Sequence, residues 1–158
     1  MKLSHMLPLI ASSCGSSRSA LAKLAFISDA LHVQRHGAVI SNGLYVKAVG
    51  GPRARSYYEA RRIAVHHGWL LEVESAGPFE RYFTLFPAGS SEVKDHFTSD
   101  ELATMRIIHA RLAQLPNIEI YELVTCSDLW RNAIIGDILN IARAGADVPL
   151  QRRLDAFL

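Results

Sequence analysis

The sequence predicts an α+β fold, a mainly α-helical single domain in which a small β-hairpin or short sheet interrupts the helices. The chain has 158 residues, of which 49% are hydrophobic and 20% are charged, as is typical of one globular domain. Apolar residues recur at helical spacing in several segments. Two short segments in which apolar and polar side chains alternate flank a turn at Gly77 and Pro78, as is typical of a β-hairpin. We therefore treat residues 1–158 as one domain.

The N-terminal quarter of the chain is predicted to be helical. Residues 6–11 form an apolar stretch that resembles a secretion signal, but Pro8 interrupts it and it is shorter than such signals require. A helix from His5 to Ser13 is predicted instead. A second helix begins after the N-capping residues Ser16 and Ser17, runs to about His36 and ends at Gly37. Its predicted buried stripe consists of Leu21, Leu24, Ile27, Ser28 and Leu31.

The middle of the chain is predicted to supply the strands. A strand over residues 44–49 ends at a turn made of Gly50, Gly51 and Pro52, and a helix follows over 56–67. Residues 70–74 alternate apolar and acidic side chains, residues 81–86 are rich in aromatic side chains, and a turn separates the two segments. This pattern predicts a hairpin, which is followed by a loop over 87–91.

The C-terminal third is predicted to contain two helices. Thr98 and Glu101 have the spacing of a capping box and open a helix that Pro116 breaks. A long last helix is predicted from Ser127 or Asp128 to about Arg143, with Gly145 as its stop. Its apolar residues at helical spacing are Trp130, Ile134, Ile138 and Ile141.

Charge and cysteine content exclude several classes of protein. The net charge of +2 is too small to indicate a nucleic-acid binder, and two cysteines cannot form a disulfide scaffold. No apolar run approaches the length of a membrane span. We expect a soluble, cytoplasmic protein with reduced thiols. The basic residues are mostly Arg, which suits interfaces, although a GC-rich coding sequence produces the same bias.

Motifs for cofactors and catalysis are not found in the sequence. GxGxxG, Walker-type, HExxH and GxSxG patterns are lacking, so we predict no cofactor and no catalytic residue. Asp29, His32 and His36 share one helix face and could bind a metal ion, which leaves a metal-dependent enzyme as an alternative. No further strong ligand lies near these residues. We therefore predict that Asp29 and His32 fix the helix within the domain. Cys126 is interpreted as a small buried residue.

The most cationic segment of the chain runs from Arg53 to His67 and leads directly into the predicted hairpin. A helix followed by a two-stranded wing is also the order of a winged-helix DNA-binding protein. Glu72, Glu74 and Glu80 place negative charge on that wing, where they would repel phosphate. A patch for a protein partner is therefore favoured. The alternative is a DNA-binding regulator that uses the helix at residues 53–67 and the hairpin at 70–86.

An ordered series of residues resembles the Panacea domain found in SocA-like antitoxins. The series opens with the helix residues 21–32, which include a Lys-Leu pair, Asp29 and His32, and continues through Gly37, Tyr45 and a Gly-Pro pair. The hairpin, the capped helix from residue 98 and the segment 128–133 follow in the family's order. The match covers about 5–145 and leaves 146–158 as a tail. The chain departs from the pattern after Pro52, at His36 and before Trp130.

The resemblance implies a non-enzymatic protein that binds a cognate toxin and neutralises it, or delivers it to a protease. A protease or a chaperone is therefore a further expected partner. Such antitoxins belong to bacterial or prophage toxin–antitoxin pairs, and others travel with mobile elements. Arg and Tyr side chains often dominate binding energy at interfaces. The predicted partner-binding surface is exposed and consists of Gly51, Pro52, Arg53, Arg55, Tyr57, Tyr58, Arg61 and Arg62.

Overall fold

A computed structural model describes residues 1–89 and 91–158. Helices contain 54% of the chain and strands 17%, which confirms the α+β class. The described α-helices are α1 (Lys2–Ile10), α2 (Arg18–His36), α3 (Tyr57–His66), α4 (Ser99–Arg111), α5 (Asn117–Thr125), α6 (Asp128–Arg131) and α7 (Val148–Asp155). The strands are β1 (Ser16–Ser17), β2 (Tyr45–Ala48), β3 (Gly51–Ala54), β4 (Leu70–Ala76), β5 (Arg81–Pro87) and β6 (Ile138–Leu139). Short 3₁₀ helices cover Ser91–His96 and Ile141–Ala146.

Helix α2 is the centre of the fold. Every residue from Ala20 to Val33 is buried, because α1, α4, α5, β3 and the second 3₁₀ helix pack around it. The Ser17 hydroxyl accepts a hydrogen bond from the Ala20 amide, and Gly37 ends the helix with a left-handed φ of 73°. The predicted helix and its caps agree with the structure. The predicted stripe covers only part of the buried surface of α2, because other elements pack around the helix and bury all of its faces.

Two small antiparallel sheets flank the helices. The first has the order β1-β5-β4, and its β4–β5 register runs from Leu70 opposite Pro87 to Ala76 opposite Arg81. The predicted hairpin is therefore confirmed. Of the loop predicted to follow it, Ala88 and Gly89 lie in irregular backbone and Ser90 lies outside the described residues. The second sheet has the order β3-β2-β6, with Tyr45 opposite both Ala54 and Leu139.

The predicted turn at residues 50–52 is placed wrongly. The turn comprises Val49 and Gly50, whereas Gly51 and Pro52 begin β3 and are buried. Pro52 is tolerated in a strand because β3 lies at the edge of its sheet, where a missing N–H donor need not break a ladder. Gly51 has a φ of 122°, and a Cβ there would lie 2.9 Å from Cε of Lys23. The backbone of β3 therefore lies directly against the side chain of Lys23.

The long C-terminal helix predicted over 127–143 is wrong. Helix α6 ends at Arg131, the chain then turns through Gly136 with a φ of 96°, and β6 pairs with β2. Strand pairing overrides a weak helical pattern here, and Ile134 and Ile138 are 74% and 55% exposed. Helix α5 was not predicted, and the predicted tail at 146–158 contains α7.

Helix α1 lies earlier than predicted. It ends at Ile10 rather than Ser13 and keeps Pro8 inside it, while Leu3, Met6, Leu7 and Ile10 are fully buried. The apolar stretch thus forms part of the core. Among the described residues, no helix combines the length and apolar character that crossing a membrane requires.

Candidate functional site

Five of the eight predicted partner-binding residues line one cavity of about 270 Å³. The cavity lies between the start of α2, the β2–β3 turn and the start of α3. Its predicted lining residues are Gly51, Pro52, Arg53, Tyr57 and Tyr58, and the unpredicted ones are Arg18, Ser19, Ala22, Ala48 and Gly50. The sequence therefore indicated a segment that lines this cavity, but it did not indicate the shape of the cavity, which the approach of α2 creates.

The expectation that this whole segment is exposed is wrong for three residues. Gly51 and Pro52 are buried in β3, which packs on α2. Tyr57 is 2% exposed, and its hydroxyl donates a 2.6 Å hydrogen bond to the Arg18 carbonyl. Burial raises the pKa of Tyr57. These residues form walls of the cavity rather than a surface that a partner could cover.

Arg53 and Tyr58 form a pair at the rim of the cavity. The guanidinium of Arg53 donates a 2.6 Å hydrogen bond to the Tyr58 hydroxyl and lies 4.7 Å from the centre of its ring. A cation over an aromatic face is an attractive arrangement. Tyr58 is 52% exposed, so the pair presents a rigid, partly aromatic surface to solvent.

Arg61 is directed inward and joins α3 to the hairpin. It donates a 2.9 Å hydrogen bond to Oε1 of Glu72, and Arg18 donates to the same oxygen at 2.8 Å. The Arg18 guanidinium also stacks on Phe83, 3.5 Å from the ring centre. The hydrogen bond from Arg18 is the main cause of the lowered pKa of Glu72. Glu72 thus forms ion pairs with two of the cations in this region, and sequence reasoning identified neither partnership.

Arg55 and Arg62 are the cations of the predicted segment that stay available. Both side chains are exposed, and neither makes an ion pair or side-chain hydrogen bond within residues 1–89 and 91–158. Of the four arginines in the predicted surface, Arg61 is thus paired with a carboxylate in the described chain and the other three are not. The winged-helix hypothesis stays a prediction, and its proposed wing carries the Glu72 and Glu74 ion pairs.

Lys23 lies beneath this cavity and is 1% exposed. Its Nζ is 2.6 Å from Oγ of Ser19, 3.1 Å from the Ser19 carbonyl and 3.0 Å from Oδ1 of Asn117. No carboxylate forms an ion pair with it in the part of the chain that the structure describes. Burial lowers the pKa of Lys23 to about 8. Sequence reasoning missed Ser19, although Ser19 and Lys23 are four residues apart on one helix.

Asp29 is completely buried and holds the chain that follows α2. Its Oδ1 accepts hydrogen bonds from the amides of Ile40 at 2.7 Å and Ser41 at 2.9 Å. Its Oδ2 accepts from the Tyr45 hydroxyl at 2.7 Å and from the Ser41 hydroxyl. Burial raises the pKa of Asp29 although these donors oppose the rise. The predicted structural role of this residue agrees with its contacts.

The histidines of the proposed metal site point to other partners. His32 contacts the Thr104 hydroxyl at 3.0 Å through Nδ1, and its ring stacks on His36 with 4.5 Å between centres. Burial, assisted by His36, lowers the pKa of His32. Across residues 1–89 and 91–158, no three His, Cys, Asp or Glu side chains are grouped as metal ligands.

Cys126 lacks the environment of a reactive thiol. Its Sγ donates to the Leu123 carbonyl at 3.1 Å, and burial raises the pKa of the thiol. A raised pKa leaves little thiolate, which is the nucleophilic form. The side chain is half-buried, whereas the sequence predicted a buried residue.

Comparisons with known proteins add no identification. No protein-family model matches the chain, and neither curated proteins nor solved structures give a match. The resemblance to the Panacea domain therefore stays a prediction.

Proposed function

We propose that this protein acts by protein–protein binding, as an antitoxin that holds a cognate toxin of a bacterial or prophage pair. The resemblance to the Panacea domain suggests this role. The structural observation that supports it is the apolar solvent face of the first sheet. On that face Leu71 is 56%, Val73 39% and Tyr82 51% exposed, and Phe79 at the turn is 98% exposed.

An apolar sheet face in contact with water is unusual, because most antiparallel sheets place polar residues on their solvent side. Here the pattern is reversed: Glu72 faces the body of the protein, where it meets Arg18 and Arg61. Contiguous exposed apolar side chains mark interaction surfaces. The arrangement fits a partner that covers Leu71 and Val73 with apolar side chains of its own.

The exposed arginines of the segment Arg53–Arg62 indicate the chemistry of the partner. Arg55 and Arg62 are exposed and have no carboxylate partner in the described chain, and the Arg53–Tyr58 pair belongs to the same segment. Arg and Tyr are enriched at interface hot spots. The preferred partner is therefore a protein with an apolar patch and a separate acidic region.

Coexpression with the product of the neighbouring reading frame tests this proposal. We expect that product to be toxic alone, to lose its toxicity in the presence of this protein, and to copurify with it. Leu71→Lys combined with Val73→Lys should abolish copurification, and Arg55→Ala combined with Arg62→Ala should weaken it about tenfold. Ile135→Lys is the matched control, because Ile135 is 56% exposed in a different region.

The other outcomes contradict the proposal. A neighbouring product that is harmless and does not copurify excludes the toxin-binding function. Salt-sensitive duplex binding that Arg55→Ala and Arg62→Ala weaken would instead favour the winged-helix hypothesis. Disappearance of the toxin in cells only when a protease is active would indicate delivery to that protease.

A further inference from the structure

Ser19 and Lys23 form a hydrogen-bonded pair whose members differ sharply in exposure. Ser19 is exposed and lines the cavity, whereas Lys23 is buried behind it, and Oγ and Nζ are 2.6 Å apart. We propose that Ser19 is a nucleophile for acyl transfer, that Lys23 is its general base, and that small acyl esters are the substrate class. This activity is additional to partner binding and does not depend on it.

The contacts of Lys23 suit a neutral amine as well as an ammonium. A neutral amine has two N–H donors and one lone pair. The two donors match the Ser19 carbonyl and Oδ1 of Asn117, and the lone pair can accept the Ser19 hydroxyl proton. All three contacts thus persist when Lys23 loses its proton. A serine beside a lysine is a known form of activated nucleophile.

Burial and the neighbouring cations oppose the charged form of Lys23. Arg18 and Arg53 line the cavity above it, whereas the ring of Tyr121, whose centre is 5.9 Å from Nζ, attracts an ammonium. Within residues 1–89 and 91–158 no carboxylate forms an ion pair with Lys23, and burial lowers its pKa to about 8. A base with this pKa is partly free near neutral pH.

The cavity gives an ester access to the serine hydroxyl. Gly50 has no side chain, and a Cβ built on it would still lie 3.8 Å from Oγ of Ser19. The volume of about 270 Å³ suits a short acyl chain. Ser19 also lies in the first turn of α2, close to the positive end of the helix dipole, which favours negative charge.

The proposed reaction needs only the ester and water. Oγ of Ser19 attacks the acyl carbon while its proton moves to Nζ of Lys23, and the proton then leaves with the departing alcohol. A Ser19 ester remains. Water then attacks this ester, Lys23 accepts the proton of the water and returns it to Oγ, and the carboxylic acid is released. No oxidant, reductant or metal ion takes part.

Labelling of the full chain with phenylmethylsulfonyl fluoride tests the nucleophile directly. Oγ displaces fluoride from sulfur, and peptide mass spectrometry locates the adduct. We expect one main adduct, on Ser19, with a rate that rises as the pH passes through about 8. Exposed Ser75 of β4 is an internal reference that requires no variant. Lys23→Met should slow labelling of Ser19 about 100-fold.

Each result decides the proposal. Equal labelling of Ser75 and Ser19, or none on Ser19, overturns it, and so does a Ser19 rate that Lys23→Met leaves unchanged. If Lys23→Met fails to fold, the pH profile and the Ser75 reference in the unaltered protein give the answer. Hydrolysis of p-nitrophenyl butyrate should fall to the background rate in Ser19→Ala, and unchanged turnover in that variant would overturn the assignment.

Discussion

Two buried charged residues on helix α2, Asp29 and Lys23, are treated very differently by the fold. Neither has a charged partner of opposite sign in the described chain, and they are 0% and 1% exposed. Asp29 receives four hydrogen bonds, two of them from backbone amides. Lys23 contacts a helix carbonyl, a side-chain amide and one exposed hydroxyl.

The difference separates a structural group from a group that can react. The donors around Asp29 belong to the segment 40–45, so removal of the carboxylate would leave buried amides without partners. The acceptors around Lys23 are either bonded elsewhere or reachable by solvent. Burial of charge alone is therefore a poor indicator of function, and the exposure of the partner is the better one.

Asp29→Ala should give the largest loss of stability. The substitution leaves the amides of Ile40 and Ser41 buried without an acceptor and also releases the Tyr45 hydroxyl. We expect the free energy of unfolding to fall by about 4 kcal/mol, as measured by urea denaturation. Asp95→Ala, at an exposed carboxylate, should change it by less than about 0.5 kcal/mol. An equal loss in both variants would show that the buried carboxylate of Asp29 contributes no more to stability than an exposed one.

The pH dependence of stability should reveal Lys23. Its pKa is lowered from 10.5 to about 8, so between these values the unfolded chain binds a proton that the folded chain does not. Stability rises with pH wherever the unfolded state binds more protons. Across this window the unaltered protein should therefore gain about 3 kcal/mol relative to Lys23→Met.

The free energy of unfolding of Lys23→Met is subtracted from that of the unaltered protein at each pH. The subtraction cancels the titrations that the two proteins share. Urea denaturation at several pH values measures the difference. A constant difference over the window would show that Lys23 titrates as it does in water, and it would remove the basis for treating this lysine as a base.

Ser19→Ala should have the smallest effect on stability. Its hydroxyl is exposed and Lys23 keeps two other acceptors, so the free energy of unfolding should change by less than about 0.5 kcal/mol. Thermal unfolding followed by circular dichroism provides the measurement. A loss comparable to that of Asp29→Ala would show that Ser19 stabilises the fold. The surroundings of Lys23 and of Asp29 would then both have a structural role.

Local signals explain which elements could be predicted from the sequence. Thr98 and Glu101 form the predicted capping box, Ser17 and Gly37 bound α2, and the alternating segments form the hairpin. In each case the backbone hydrogen bonds that define the element join residues that are close in the sequence. The region after Arg131 could not be predicted in this way, because β6 exists through its pairing with β2, more than 80 positions earlier.

The candidate site was predictable only in part for the same reason. Its β2–β3 and α3 residues are contiguous in sequence, and their Arg and Tyr content indicated a recognition segment. Glu72 of β4 pairs with both Arg18 and Arg61 and offsets one unit of their charge, so the exposed charge is smaller than the sequence suggests. The burial of Tyr57 also depends on a distant contact, with the Arg18 carbonyl.

The sequence by itself determined that this protein is an α+β domain, where α2 begins and ends, and that residues 53–62 are rich in Arg and Tyr. These properties follow from composition, capping and short-range periodicity. The tertiary structure alone decided which of those side chains are free, and it placed β3 against α2 so that Ser19 faces a cavity while Lys23 is buried behind it. Exposure and the pKa of a lysine depend on what packs around a group, and long-range packing cannot be read from neighbouring residues.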